Sequence, residues 1–366
     1  MTRAGSSERV AADVLVVGAG AFGLWAARAC AARGMRVAVA DPARIGSGEG
    51  AASATPVGAL APHRPAPWTP MKALQLRALE EMPARLAALE AETGRSVGHA
   101  RPGRRTPLRD AAARDRAEAA LADAAARWPG RRQWIEDTAR SAALEDPPFG
   151  WLRDDRTARL DPAATLAALR AALENTGARL LDGRRLLALD PPHAVLDGAE
   201  VSAPAILLAS GHRAFELIPE APLPALRPEH GQAARLALAL PPDTPLIQAP
   251  GLWIVPHEDG TTAVGATSER DRDDLTTDAA LDETLARAAA LMPAIAEAPV
   301  LQRWAGLRPR LATRKPLIGP VPGRPGLFVA TGGFKIGLAL APLLGEALAA
   351  ILAGDAPDLP PEILTA

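Results

Sequence analysis

The stretch that decides the fold is "DVLVVGAGAFGLWAARACAARGMRVAVAD", Asp13–Asp41. Val14–Val17 is a short β-branched run of the kind buried in a parallel sheet. Gly18, Gly20 and Gly23 follow in G-x-G-x-x-G spacing, then Ala26, Ala27 and Cys30 at helical spacing. Gly34 closes that helix, "RVAVA" reads as a second strand, and Asp41 stands at its end. Each part has a physical task. Gly18 permits a tight turn, Gly20 lets the backbone approach a pyrophosphate on the helix N-terminus, and Gly23 lets helix and strand close up. Asp41 offers acceptors to both ribose hydroxyls of an adenosine and repels the 2′-phosphate of NADP. These residues leave NAD and FAD both open. The next segment, "PARIGSGEGAASATPVGALAPH", is long and rich in small residues. It suits a backbone lying against a flat ring, where a nicotinamide dehydrogenase would proceed to another βα unit.

A chain of 366 residues is too long for one core, so two domains are expected. Hydrophobic content of 48% and charged content of 23% are those of a soluble globular protein. A formal net charge of -1 gives no electrostatic attraction to nucleic acid or to an anionic membrane. The single Cys30 cannot form an internal disulfide, which fits a cytoplasmic location. The N-terminal "MTRAGSSERVAAD" is polar, without the apolar core of a secretory signal, and no window reaches the length of a membrane span. The histidines show no HxxxH spacing, and no metal site, Ser/His/Asp arrangement or G-x-S-x-G elbow is visible.

Farther along, "RLDPAATLAALRAALENTGARLLDG" reads as a helix with Asp161 at the N-cap and Pro162 in its first turn, ending at Gly177. Met71–Ala143 reads mostly as helix, and residues 226–267 alternate like sheet strands with turns at "PPDTP" and "EDG". The stretch "ATGGFKIGLALAP", Ala330–Pro342, holds one of only three lysines, the others being Lys72 and Lys315. Lys335 stands between a Gly-Gly turn and an apolar run, where a charge is expensive unless something uses it. The run after Gly337 reads as a helix whose N-terminus carries partial positive charge. Its stripe Leu344, Leu348 and Ile351 reads as core.

With the dinucleotide motif come "VSAPAILLASG", "LRPEHGQ", "LWIVPHEDGTTAVGATSE", "WAGLRPRLATRKPLIGPVP" and "GLFVATGGFKIGLALAPLLGEALA", in that order. Over almost its whole length the chain resembles the D-amino-acid oxidase superfamily of flavoproteins, especially the glycine oxidase and sarcosine oxidase branches. The resemblance implies an α/β fold. An FAD-binding, Rossmann-like doubly wound domain (1–85, 146–220 and 300–366) is interleaved with a substrate domain on a large, mostly antiparallel sheet (86–145 and 221–299). It implies non-covalent FAD, since Cys30 inside the first helix cannot serve as an attachment point. The implied reaction is oxidation of the C–N bond of a small amine or amino acid, such as glycine, a D-amino acid or an N-methyl amino acid. Hydride passes to flavin N5, the imine hydrolyses, and O2 or another acceptor takes the electrons. A homo-oligomer is compatible with it.

By the same resemblance the cofactor lies on Gly18, Gly20, Phe22, Gly23 and Asp41. Ser53, Gly58 and Ala59 join it from the small-residue segment, Ser210 and Gly211 from the later strand end. Gly333, Phe334, Ile336 and Gly337 complete the set. The reacting side draws on Arg308, Lys335, Trp253 and His63. Arg308 in "GLRP" matches the arginine that pairs with substrate carboxylate in glycine oxidases. Lys335 stands where those enzymes carry an arginine, and "GFK" matches sarcosine oxidases, whose lysine meets the carboxylate. The chain departs from the family in having no tyrosine. Trp253 takes the place of a substrate-side tyrosine, and an indole donates one hydrogen bond but cannot act as acid or base. Two other expectations stand beside this one. One is the family's branch that removes a carboxymethyl group from a modified tRNA uridine. The other is a non-catalytic flavoprotein subunit of a larger complex.

Overall fold

The computed structural model describes residues 8–128, 133–141, 143–270 and 272–365. The polar stretch 1–7 therefore lies outside the described residues. Val14–Val17 is fully buried and sits in a six-stranded sheet. The strand order is Leu317–Pro320, Leu327–Thr331, Ala205–Leu208, Val14–Val17, Val37–Asp41, Arg179–Asp182. All neighbours are parallel except the edge pair Leu317–Pro320 and Leu327–Thr331. Such a sheet needs cover on both faces, which is why its central strands read as unbroken Val, Leu and Ala.

One face is covered by the helices Ala21–Ala32, Pro162–Asn175 and Gly337–Leu352, with Pro70–Thr93 packed behind them. The other face is covered by a four-stranded sheet of Glu8–Ala11, Ala199–Ser202, His193–Leu196 and Leu186–Asp190. Alternation along Val14–Val17 divides its side chains between the two covers: Val14 and Val16 face the helices, Leu15 and Val17 the small sheet. Asp161 accepts from the Ala164 N–H at 2.9 Å and caps the helix Pro162–Asn175, and Gly177 beyond it has φ +76°. First and last helices touch backbone to backbone, because a Cβ on Gly345 would lie 2.7 Å from the Trp25 carbonyl carbon.

The second large element is an eight-stranded sheet in the order Val300–Leu311, Leu226–Leu236, Thr262–Gly265, Leu252–Pro256, Leu246–Ala249, Arg104–Pro107, Trp151–Asp154, Gln133–Glu136. Only the pair Leu246–Ala249 and Arg104–Pro107 is parallel. The helices Ala279–Ala289 and Ala294–Glu297 cover one face. Val57 and Ala59 pack against the other. Strand hydrogen bonding departs from the segment boundaries expected from sequence. Trp151–Asp154 and Val300–Leu311 belong to this sheet although they fall in segments 146–220 and 300–366, and residue 86 lies inside the helix Pro70–Thr93. The reason is continuity: Val300–Leu311 pairs along nearly its whole length with Leu226–Leu236, so the chain leaves the sheet only after Leu311. The segment Met71–Ala143 likewise holds, among its described residues, two strands between and after its helices.

Candidate active site

Parallel strands bring their C-terminal ends to one edge of a sheet, and loops at that edge form ligand sites. Here Gly18, Asp41, Ser210 and Gly332 all follow or end such strands. Gly18 has φ +106°, and a Cβ there would lie 2.6 Å from the Ala209 carbonyl oxygen and 2.8 Å from Ser210 Cα. A Cβ on Gly23 would lie 1.9 Å from the Gly18 carbonyl oxygen. These two glycines are demanded by the protein's own backbone. Gly20 differs: a Cβ there meets only Ser53 Oγ, at 3.4 Å. Its open side adjoins the first-turn N–H groups, which have no acceptor within a helix. A pyrophosphate fits that cradle. Ser53 Oγ accepts from the Ala21 N–H at 3.0 Å and holds the helix start against the short turn Ala52–Ala54.

Asp41 accepts from the Ala19 N–H at 2.7 Å and from the Ala43 N–H at 2.8 Å. Each carboxylate oxygen keeps a second lone pair for a ribose hydroxyl. Burial pushes its carboxyl above the usual carboxylate range, against the pull of the two N–H groups. The Gly211 carbonyl oxygen accepts from Thr331 Oγ1 at 2.6 Å, tying two loops of this edge together. Gly58 is closed off, since a Cβ there would lie 2.0 Å from the Leu160 carbonyl oxygen, and Ala59 pairs with Arg159. The loop before the last helix lies on Phe22: a Cβ on Gly333 would come within 3.0 Å of its ring, and one on Gly337 within 3.8 Å. Ile336 is the N-cap of that helix, and Phe334, with φ +43°, donates its N–H to the Pro309 carbonyl.

That last bond carries the loop to the large sheet, where three of the residues expected on the reacting side, Arg308, Lys335 and Trp253, lie on or beside the strands. Residues directly opposite in neighbouring strands share a face. Glu229 faces Arg308, Gly231 faces Gly306, and Ala233 faces Trp304. Gly265 lies beside Ala233, and Trp253 beside Gly265. Trp304 and Trp253 thus end one row across four strands, with only Ala233 and Gly265 between them. The paired glycines make room below that row. A Cβ on Gly306 would lie 2.3 Å from the Trp304 ring. One on Gly231 would lie 2.1 Å from both Nη atoms of Arg308. So the indole lies over Gly306 and the guanidinium over Gly231.

Arg308 Nη1 donates to the Thr267 carbonyl at 3.0 Å and the His230 carbonyl at 3.4 Å. Its Nε and Nη2 donate to nothing among the described residues. Burial holds this guanidinium below the ordinary arginine range. Beside it lies a group that sequence reading did not pick out: Glu229, a nearly buried carboxylate. Glu229 pairs with Arg310 Nε at 3.3 Å, accepts from Ser268 Oγ, and stands 4.0 Å from Lys335 Nζ. Lys335 and Arg310 both lie over the Phe334 ring, at 5.2 and 5.8 Å. Burial first, then the charge of Arg308, lowers the Lys335 ammonium pKa below the ordinary lysine value. Alternation in "WAGLRPRL" puts Trp304, Arg308 and Arg310 on one face, and this was the available signal for them.

The two remaining candidates sit differently. Trp253 has Arg104 over its ring at 5.9 Å. His63 is exposed; its backbone N–H donates to Gln75 Oε1 at 3.0 Å, and its ring makes no hydrogen bond among the described residues. Nothing ties it to the Arg308 cluster. Among the described residues no group of His, Cys, Asp and Glu is placed to hold a metal, and no helix is long and apolar enough to cross a membrane.

Residues 13–351 match the family described as FAD dependent oxidoreductase, DAO. Glycine oxidase of Pseudomonas aeruginosa is 30% identical over 95% of this chain and 96% of its own length. The MnmC bifunctional protein of tRNA 5-methylaminomethyl-2-thiouridine biosynthesis from a Caulobacter species is 34% identical over 93% of this chain and 55% of its own. The crystal structure of glycine oxidase from Geobacillus kaustophilus superposes with a TM-score of 0.86 at 25% identity, covering 96% of this chain and 97% of that one. The glycine cradle with its terminal acid and the matches along the chain agree: this protein belongs to the DAO family of FAD-dependent oxidoreductases.

Proposed function

We propose that the protein oxidises the C–N bond of a small amino acid or carboxylate-bearing amine, with FAD held non-covalently. The observation that carries this reading is Arg308, laid over Gly231 with Nε and Nη2 unengaged, on a sheet face joined to the cofactor edge through Phe334 and Pro309. FAD, when bound, supplies the two-electron acceptor for hydride leaving the carbon beside nitrogen. Gly20, the first-turn N–H groups and Asp41 would hold its pyrophosphate and adenosine ribose. Gly333 to Gly337 and the positive end of the last helix would face its ring system.

The chain's own task is then placement. Arg308 reads the substrate carboxylate through a planar fork, which fixes orientation as well as position. Trp304 and Trp253 wall the site and keep water from the reacting carbon. No tyrosine is present, so no phenol serves as acid or base. The nitrogen lone pair drives hydride departure, and water then splits the imine into an oxo acid and the amine. The test is anaerobic bleaching of the flavin absorbance by a panel of amino acids, N-methyl amino acids, simple amines and hydroxy acids. Carboxylate-bearing amines are expected to bleach it. Bleaching by hydroxy acids alone overturns the reading.

The 34% identity to MnmC supports a second reading, a carboxymethylamino group on a tRNA uridine. It presents the same secondary amine and carboxylate to the same residues. The net charge of -1 weighs against attraction to the tRNA phosphates. Tight, salt-sensitive tRNA binding would favour this second substrate.

A further inference from the structure

The charges around Arg308 do not balance. Among the described residues, four cations, Arg227, Arg308, Arg310 and Lys335, and one carboxylate, Glu229, stand on this face and its rim. Glu229 is already matched: Oε2 meets Arg310 at 3.3 Å and Oε1 accepts from Ser268. Arg308 has only backbone carbonyls. Lys335 lies 4.0 Å from Glu229, at the outer limit of an ion pair, and its side chain is 54% exposed while that of Glu229 is 7% exposed. Apart from the exposed Arg227 at the rim, two cations are therefore left without a close carboxylate among the described residues, one deep on the sheet face and one at the mouth. They are near enough for the charge of Arg308 to disfavour the Lys335 ammonium. A single carboxylate would neutralise one of them and leave the other facing a positive pocket.

We propose, resting on the amine-oxidising reading above, that the site selects amines carrying two carboxylates, one on Arg308 and the second on Lys335. The two anchors suit the two depths. Arg308 is a rigid fork held by the Thr267 and His230 carbonyls, placed to orient the carbon that reacts. Lys335 is a point charge on a flexible stem at the entrance, placed to accept a second carboxylate at variable distance.

The experiment compares substrates that differ only in the second carboxylate: N-(carboxymethyl)glycine against N-methylglycine, and D-aspartate against D-alanine. Steady-state kcat/KM is measured for the FAD-loaded wild type, Lys335→Met and Lys335→Arg. In at least one pair the diacid is expected to exceed its monoacid by tenfold or more in the wild type. That ratio should fall at least tenfold in Lys335→Met and be largely kept in Lys335→Arg. Monoacids turning over as well as or better than the diacids in both pairs overturns the inference and leaves the amine-oxidising reading standing. So does a ratio unchanged by Lys335→Met. If no member of either pair and no other amine bleaches the flavin, both fall.

Discussion

Gly231→Ala isolates the proposed substrate anchor, Arg308, from the rest of the protein. The backbone at Gly231 is ordinary strand, so alanine adds no strain there. Its Cβ would lie 2.1 Å from Nη1 and Nη2 of Arg308 and 2.3 Å from Cζ. Ordinary contact begins at about 3.4 Å, so the guanidinium must move by more than about 1 Å. The obstacle is the far end of a flexible side chain, and the fold can absorb it. The bond to the Thr267 carbonyl and the position of the free Nη2 edge cannot both survive. A hydrogen bond to a charged group contributes about 1.5–3 kcal/mol. Displacement by ~1 Å alone can cost about a hundredfold in rate. The expected outcome is normal FAD content and melting temperature, with kcat/KM for carboxylate-bearing amines reduced by roughly 10–100-fold. An amine without a carboxylate should lose far less. A variant that binds FAD and keeps wild-type kcat/KM would refute Arg308 as the anchor.

Further outcomes are expected. Gly20→Val should lose FAD, read as the flavin-to-protein absorbance ratio, while circular dichroism stays unchanged; Gly23→Ala should instead fail to fold stably, because its Cβ meets the Gly18 carbonyl at 1.9 Å. Gly345→Ala should lower the melting temperature by forcing the first and last helices apart, at a cost of about 1–3 kcal/mol. Cys30, with its thiol pushed up to about 12 by burial, should react with thiol reagents only after unfolding; rapid native-state labelling would contradict its place in the core. Binding of a carboxylate inhibitor that has no amine should weaken as pH rises through the depressed pKa of Lys335, because the ammonium exists only below it, and Lys335→Arg should flatten that alkaline limb.

Much of the nucleotide end is legible because its signals are local. Strand, turn, helix and acid lie within Asp13–Asp41; Gly23 answers to the Gly18 carbonyl in the same unit, and Gly18 to Ala209 and Ser210 after the neighbouring strand. The interleaving is harder to read. Val300–Leu311 alternates like any strand, and nothing within it says which sheet it joins; that is decided by its pairing with Leu226–Leu236, about seventy residues earlier. The cover on the second sheet face is similarly hidden. Short alternating strands such as His193–Leu196 look like loop hairpins until they are placed over Leu15 and Val17.

The reacting side shows where sequence reading stops, and why. Arg308 and Lys335 could be picked out one at a time, from a motif and from scarcity. Glu229 could not, because its meaning comes from the register that sets it opposite Arg308 and beside Arg310. An expectation built on two converging cations demands an outside anion. Register supplies an inside one, and the question becomes how much positive charge is left over. Gly231 and Gly306 carry the same lesson: each is an unremarked strand glycine in sequence, and only as a facing pair do they open the floor on which the guanidinium and the Trp304 indole lie. On the proposed reading, substrate choice depends on a charge balance and a paired gap, both properties of two strands together. This is why the arrangement is to be tested by substitutions such as Gly231→Ala and Lys335→Met, which shift one partner and leave the pairing in place.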